Sequence, residues 1–374
     1  MARLGDIATY VNGFAFKPSD WSEEGLPIIR IQDLTGNSYQ ANRYNGEYHP
    51  KYEVNDGDVL ISWSASLGVY IWRGEKAVLN QHIFKVVFDK TEVDKSFFVH
   101  QVQNILENAA SEAHGATMKH LTKPIFDALP FYLPDIGKQR EIALVLDEVS
   151  NLISLREQQL TKLDELVKAR FVELFGDPSS NPMGWKETTV GAECYYIKDG
   201  PHKSLPDVGE GNGYPFISVR NIVNGSIDFS TAKYISEQDY LDSIKKCHPQ
   251  KGDMLYSKGG TTGIAKLIDV DIEFANWVHV AVLKFDNTLN GVFFENMLNS
   301  DYCYNQSQRL TKGIANRDLV LSAMAQIKMY KPPLELQEKF AVFVKQTDKS
   351  KLVIQQSLDK LETLKKSLMQ KYFG

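Results

Sequence analysis

The chain has 374 residues, with 42 Lys+Arg against 47 Asp+Glu and a formal charge of -5. At about 100–200 residues per domain that is two domains or more. Its 43% hydrophobic and 24% charged content excludes a disordered chain, a collagen and a rod made only of coiled coil. Cys194, Cys247 and Cys303 lie too far apart for a disulfide framework or a cysteine zinc cluster. The start, Met1 to Asp6, lacks an apolar signal region, and the strongly apolar stretch from Val59 to Trp72 is too short to span a bilayer. The expectation is a soluble, cytoplasmic protein.

In chain order, Leu26–Leu34, Val59–Ile61, Val69–Trp72 and His82–Phe88 are rich in β-branched and aromatic residues and bounded by turn residues, so they predict strands. A short helix is predicted over Ser96–Asn108 and a long one from about Lys138 to Leu174. The series then recurs. Strands are predicted at Tyr214–Val219, Met254–Tyr256, Ile264–Ile268 and Val278–Phe285, a short helix at Gly291–Ser300, and a long helix from Pro332-Pro333 to about Tyr372. The class is mixed α/β (α+β), without a clean βαβ rhythm.

The recurrence is a true internal repeat. Pro27-Ile-Ile-Arg-Ile-Gln-Asp-Leu34 answers to Pro215-Phe-Ile-Ser-Val-Arg-Asn-Ile222, and Gly57-Asp-Val-Leu-Ile-Ser62 to Gly252-Asp-Met-Leu-Tyr-Ser257. At a shift of 198, residues 115–176 align with 313–374 without a gap, and 14 of the 62 pairs are identical. Ordinary residue frequencies would give about three or four. Both long helices carry an apolar seam of seven-residue period. In the first it comprises Ile142, Leu146, Val149, Ile153, Leu160, Leu163, Val167 and Leu174. In the second it comprises Phe340, Val344, Ile354, Leu358, Leu361, Leu368 and Tyr372. Such a seam needs a partner seam. If the halves are related by a pseudo-two-fold axis, the helices pair antiparallel as a coiled coil joining two globular regions.

No catalytic constellation is present in the sequence. Lys258-Gly-Gly-Thr-Thr-Gly263 places its lysine before the glycines, whereas a phosphate loop of the Walker type needs it after them. No strand leads into G-x-G-x-x-G, so no adenosine cofactor is implied, and Asp269 and Asp271 read as a solvated turn rather than a metal pair. His82 and His279, at equivalent strand positions, fit shared packing or a structural hydrogen bond better than catalysis. The candidate contacts are instead with a polynucleotide. The loops carrying Ser62, Ser64 and Ser66 in the first half, and Lys258, Thr261 and Thr262 in the second, are small and polar between matching flanks. Before the long helices, Lys119 aligns with Arg317, and Gln308, Arg309 and Lys312 precede the latter. Arg30, Arg43 and Arg220 are weaker candidates for phosphate or base-edge contacts. The net acidity means that bulk electrostatics would not hold nucleic acid by themselves.

Taken in order, Arg3-Leu-Gly-Asp-Ile7, Asn12-Gly-Phe-Ala-Phe-Lys17, Pro27–Leu34, Gly57–Ser62, Gly115-Ala-Thr-Met-Lys-His-Leu121 and Lys331-Pro-Pro-Leu-Glu-Leu-Gln-Glu338 resemble the hallmarks of the specificity subunit of type I restriction–modification enzymes. Phe175-Gly-Asp-Pro178 leading to Asn181-Pro-Met-Gly-Trp185 resembles that family's junction between two target-recognition domains. The resemblance covers nearly the whole chain. It departs at Leu133-Pro134-Asp135-Ile136-Gly137, which has one proline where the second copy has two.

The resemblance implies two target-recognition domains, 1–132 and 186–330, spacer helices at 133–176 and 331–374, and a linker at 177–185. Each domain would read one half of a bipartite double-stranded DNA target. It also implies a chain that is not itself an enzyme and has no cofactor of its own. Its partners would be two methyltransferase subunits carrying S-adenosylmethionine, and ATP-dependent restriction subunits that the complex can recruit. The alternative is an autonomous DNA-binding or adaptor protein without restriction partners. A nuclease would need convergent carboxylates and a lysine, and no convincing set is visible.

Overall fold

The computed structural model describes residues 1–36, 42–112, 122–223, 225–314 and 316–374, with only the helical backbone described for 110–112. It divides into two compact units, Met1–Gln158 with Gln355–Gly374, and Gln159–Ile354. Each unit combines a mixed α/β domain with parts of both long helices.

In the first unit a four-stranded antiparallel sheet runs in the order Thr9–Asn12, Ile83–Val87, Val59–Ser62, Gly68–Ile71. Beside it in the chain a second sheet runs Arg43–Tyr44, Leu26–Ile29, Ala77–Leu79, Glu53–Val54, and its Leu26–Ile29/Ala77–Leu79 pair is parallel. The second unit repeats this plan. Its main sheet is Cys194–Asp199, Val280–Phe285, Met254–Ser257, Ala265–Leu267, and its smaller sheet is Lys233–Ile235, Tyr214–Ile217, Ala275–Asn276, again with a parallel pair at Tyr214–Ile217/Ala275–Asn276.

The strand expected over Leu26–Leu34 stops at Ile29. The Asp33 carboxylate accepts the Arg30 N–H at 2.8 Å, and Ile31–Leu34 closes into a helical turn. Its counterpart stops at Ile217 for the same reason, because Asn221 Oδ1 accepts the Ser218 N–H at 2.9 Å. A short polar side chain three residues on competes with the ladder for backbone groups, and apolar content alone does not reveal this.

The long helices span Ile136–Phe175 and Leu334–Phe373. Asp135 caps the first by accepting the Lys138 N–H at 3.0 Å, so a helix start with one proline is made good by a carboxylate. Gly176, at φ +75°, ends that helix by donating its N–H to the Val172 carbonyl at 2.8 Å; a Cβ there would also lie 2.5 Å from Pro182 Cγ.

The helices run antiparallel where they meet within each unit. In the second unit Lys351 pairs with Asp164 at 2.5 Å, Arg170 lies over the Phe343 ring at 5.7 Å, and Phe171 meets Phe340 edge-on at 5.4 Å. Residue numbers rise along one helix as they fall along the other. In the first unit Ile142, Ala143 and Leu146 share a core with Met369, Leu368, Tyr372 and Phe373. The seam residues expected from the seven-residue period, Ile142 through Tyr372, are each buried or half-buried. Each buried aliphatic or aromatic side chain contributes about 1.5–3 kcal/mol relative to exposure, so the seam holds the helices far more firmly than their intrinsic propensity could.

Candidate nucleic-acid interface

In the second domain the loop after Met254–Ser257 and the segment before the second long helix form one layer. Lys258 N–H donates to the His279 carbonyl at 2.8 Å, Leu319 N–H to the Lys258 carbonyl at 2.7 Å, and Gly260 N–H to the Arg317 carbonyl at 3.0 Å. Glycine is required at 259, because a Cβ there would sit 1.9 Å from His279 Nδ1. Two groups of candidates far apart in sequence are therefore brought together.

Within that layer the candidates divide by exposure. Lys258 is 6% exposed, and its ammonium lies 2.9 Å from Asp318 and 3.6 Å from Asp199. Asp199 also pairs with Lys246 at 2.7 Å; burial pushes its carboxyl up, but the Lys246 bond and the charges of Lys246, Lys258 and His202 hold it below the usual range. Thr262 is buried, sharing a hydroxyl bond with Thr311 at 2.9 Å, and its carbonyl accepts from Gln308 Nε2 at 2.9 Å. These polar groups stabilise the loop from inside. Thr261, Arg309, Lys312 and Arg317 are exposed, and Arg317 donates to Gln308 Oε1. Ile314, fully exposed at 100%, stands between Lys312 and Arg317. Sequence reading missed it, although an isoleucine after a glycine in a basic loop was a visible signal.

The first domain builds its loop differently. Ser62 is buried, and its hydroxyl donates to the Ser64 and Ser66 carbonyls. Ser64 is buried too, whereas Ser66 is exposed beside Ala65, which adopts φ +59°. The Trp63 backbone N–H donates to the His82 carbonyl at 3.2 Å, its indole N–H donates to Asn12 Oδ1 at 3.2 Å, and its ring stacks on Phe84 at 5.6 Å. Both equivalent histidines thus anchor a loop through a backbone carbonyl, and each ring also meets a tryptophan, Trp63 at 4.9 Å and Trp277 at 4.8 Å. Lys119 lies outside the described residues.

The remaining arginines are engaged to different degrees. Arg43 pairs with Glu75 at 2.6 Å and donates to the Gly25 carbonyl at 2.6 Å. Arg30 lies near Asp33 and over the Trp21 ring at 5.6 Å. Arg220 is exposed, and with Lys233, Phe216 and Trp277 it lines a cavity of about 280 Å³. Among the described residues no group of three or more His, Cys, Asp or Glu side chains is placed to hold a metal ion.

The architecture is a duplicated α/β domain, each copy packed on parts of both long helices. Comparison with known proteins supplies the family. The model of the type I restriction modification DNA specificity domain matches residues 1–165 and 185–363, one match per half. The chain is 24% identical over 409 residues to the EcoBI specificity subunit of Escherichia coli, covering 99% of this chain and 84% of that one. It is 23% identical over 390 residues to the MjaVIII specificity subunit of Methanocaldococcus jannaschii, covering 99% and 90%. The crystal structure of an S subunit from M. genitalium shares the fold at a TM-score of 0.58 and 15% identity, over all of this chain and 95% of that one.

The chain belongs to the family of type I restriction–modification specificity subunits. As such it is the non-catalytic subunit that recognises DNA. No helix among the described residues is long and apolar enough to cross a membrane.

Proposed function

We propose that this chain reads a bipartite double-stranded DNA target, one half with each of the domains 1–132 and 186–330, and holds two methyltransferase subunits that carry S-adenosylmethionine. ATP-dependent restriction subunits would join the same complex. In the second half the direct contacts would come from Thr261, Arg309, Lys312 and Arg317, with Gln308 holding Arg317 and the Thr262 carbonyl, and in the first from Ser66 and Lys119, with Arg220 beside the second domain's smaller sheet. Lys258, Ser62, Ser64 and Thr262 would shape those loops.

The observation that carries the reading is a duplicated apolar stripe on the long helices. Leu144 and Val342 are 70% and 68% exposed, Leu155 and Val353 are 53% and 65%, and Leu166 and Leu364 are 47% and 46%. The members of each pair occupy the same repeat position, and within each helix they are spaced by 11 residues. Eleven residues make three turns of 3.67 residues, so each stripe keeps to one side of its helix. Exposed apolar residues repeated at the same positions of both helices support docking of a partner there. Two equivalent stripes suit two copies of one partner. The net charge of -5 favours the assembly over a solitary DNA-binding protein, since partners would supply positive surface.

Co-expression with the methyltransferase partner tests the proposal. Two methyltransferase subunits per chain and methylation of adenine in a two-part target are expected. A chain that binds such a target with undiminished affinity and specificity by itself, and takes up no methyltransferase, would contradict the assembly.

A further inference from the structure

Gln139 and Gln337 hold the same repeat position, and both are buried. Each amide makes the same two bonds. Gln139 Oε1 accepts the Asp94 N–H at 2.9 Å while its Nε2 donates to the Pro134 carbonyl at 2.8 Å. Gln337 Oε1 accepts the Asn290 N–H at 2.8 Å while its Nε2 donates to the Pro332 carbonyl at 2.7 Å. The residues grasped on the domain side are themselves helix caps. Asp94 Oδ1 accepts the Phe97 N–H at 3.0 Å, and Asn290 Oδ1 accepts the Val292 and Phe293 N–H groups at 3.0 and 3.3 Å. One side chain therefore fastens the first turn of a long helix to the cap of a helix in its domain.

An aromatic contact reinforces each junction in the same way. Phe97 meets Phe373 at 5.5 Å, and its counterpart Phe293 meets Phe175 at 4.8 Å. The surroundings differ: Asp147 bonds Ser96 at 2.5 Å and His100 at 2.7 Å in the first junction, whereas Lys345 and Asn296 stand at the corresponding positions in the second. Only 14 of 62 aligned pairs are identical in this part of the repeat, yet the clasp has the same donors and acceptors in both. Burying an amide is costly unless both of its ends are satisfied, and an apolar side chain would fill the space as well. What the amide adds is direction.

We infer that Gln139 and Gln337 are positioning residues, which set the tilt of each recognition domain on the long helices and so the number of unspecified base pairs accepted between the half-targets. This rests on the bipartite reading proposed above. Across a domain roughly 30 Å wide a tilt of about 6.5° moves the far surface by about 3.4 Å, the rise of one base-pair step, and the turn of about 35° that accompanies that step falls to the DNA and the junction together. A junction lacking the clasp holds this angle less tightly, and discrimination between neighbouring spacer lengths falls.

The test uses the full chain assembled with its methyltransferase partner, after base-resolution methylation mapping has given the wild-type target. Initial methylation rates are compared on that target and on targets with one base pair added to or removed from the spacer. The variants are Gln139→Met and Gln337→Met, with Ile217→Val as a core-weakened control. The matched-to-mismatched ratio is independent of the folded fraction, so simple destabilisation does not move it. At least a threefold fall in that ratio is expected for either glutamine variant, with the half-target bases unchanged and the control like the wild type. An unchanged ratio in folded glutamine variants, or an equal fall in the control, would overturn the proposal. A wild-type assembly with no spacer preference would instead refute the bipartite reading beneath it.

Discussion

Phe340→Ala measures how strongly the long helices are held within the second unit. The Phe340 side chain is fully buried, edge-on to Phe171 at 5.4 Å and to Phe175 at 5.6 Å, in a core that also contains Val167, Phe293 and Val344. Removing a buried phenyl ring costs about 3–5 kcal/mol, and the lower part of the range applies only where neighbours can collapse into the space. Here those neighbours are themselves rings held from several sides, since Phe171 also stacks on Phe293 at 5.8 Å, so collapse is restricted. At the upper part of that range, about 4–5 kcal/mol, and about 2–4 °C per kcal/mol for a unit of this size, a fall in Tm of roughly 8–20 °C is expected. Differential scanning calorimetry of the purified chain, with Val342→Ala as the comparison, provides the assay. Val342 lies two residues away on the same helix and is exposed, so its truncation should change Tm by no more than about 2 °C. A Phe340→Ala shift below about 3 °C, or shifts of equal size in both variants, would refute this account of the helix packing.

Leu155→Asp combined with Val353→Asp should leave Tm nearly unchanged, since both side chains are exposed, yet abolish co-purification with the methyltransferase; retained assembly would remove the duplicated stripe as its docking surface. Lys312→Ala with Arg317→Ala should weaken DNA binding by the assembly across all sequences and reduce the slope of log K against log salt by about 1.8, or about 0.9 for each phosphate no longer neutralised. An unchanged slope would mean that neither residue meets a phosphate. His100 offers a pH test: burial lowers its pKa against the opposing pull of Asp147, 2.7 Å away. The unfolded chain then binds the proton more readily, and stability should be full above about pH 6.5 and fall as pH drops below it. In His100→Asn, denaturant titration between pH 7.5 and 5 should show a shallower decline, whereas an unaltered decline would assign the effect to other groups.

Much of the scaffold was legible because its signals are periodic. A seven-residue apolar period identified the seam, and the ordered repeat identified two domains of one kind. Phe171, Phe175 and Met369 also face the cores but fall off the two marked lines, because contacts with the domains widen the apolar face beyond a coiled-coil seam. Arg170 interrupts the seam in sequence but fits the structure, with its guanidinium over Phe343 and paired to Glu173 at 2.7 Å. The loops were harder to read. Lys258 looks like a phosphate contact until Asp318, 60 residues away, is brought to its ammonium, and Ser62 looks accessible until its hydroxyl turns into its own loop. Such pairings depend on tertiary placement and have no local period. The amide clasp was hidden for the same reason, since Gln139 and Gln337 stood out only as one identical pair among 14.

The most direct test of the account is exchange of residues 186–330 for the corresponding region of a relative with a different target. Each domain is proposed to read its own half-target on a common pair of helices. With the methyltransferase partner present, base-resolution methylation mapping should therefore show new bases in one half of the target, with the other half and the spacer length kept. Altered bases in both halves, or in neither, would contradict the division of recognition between the two domains.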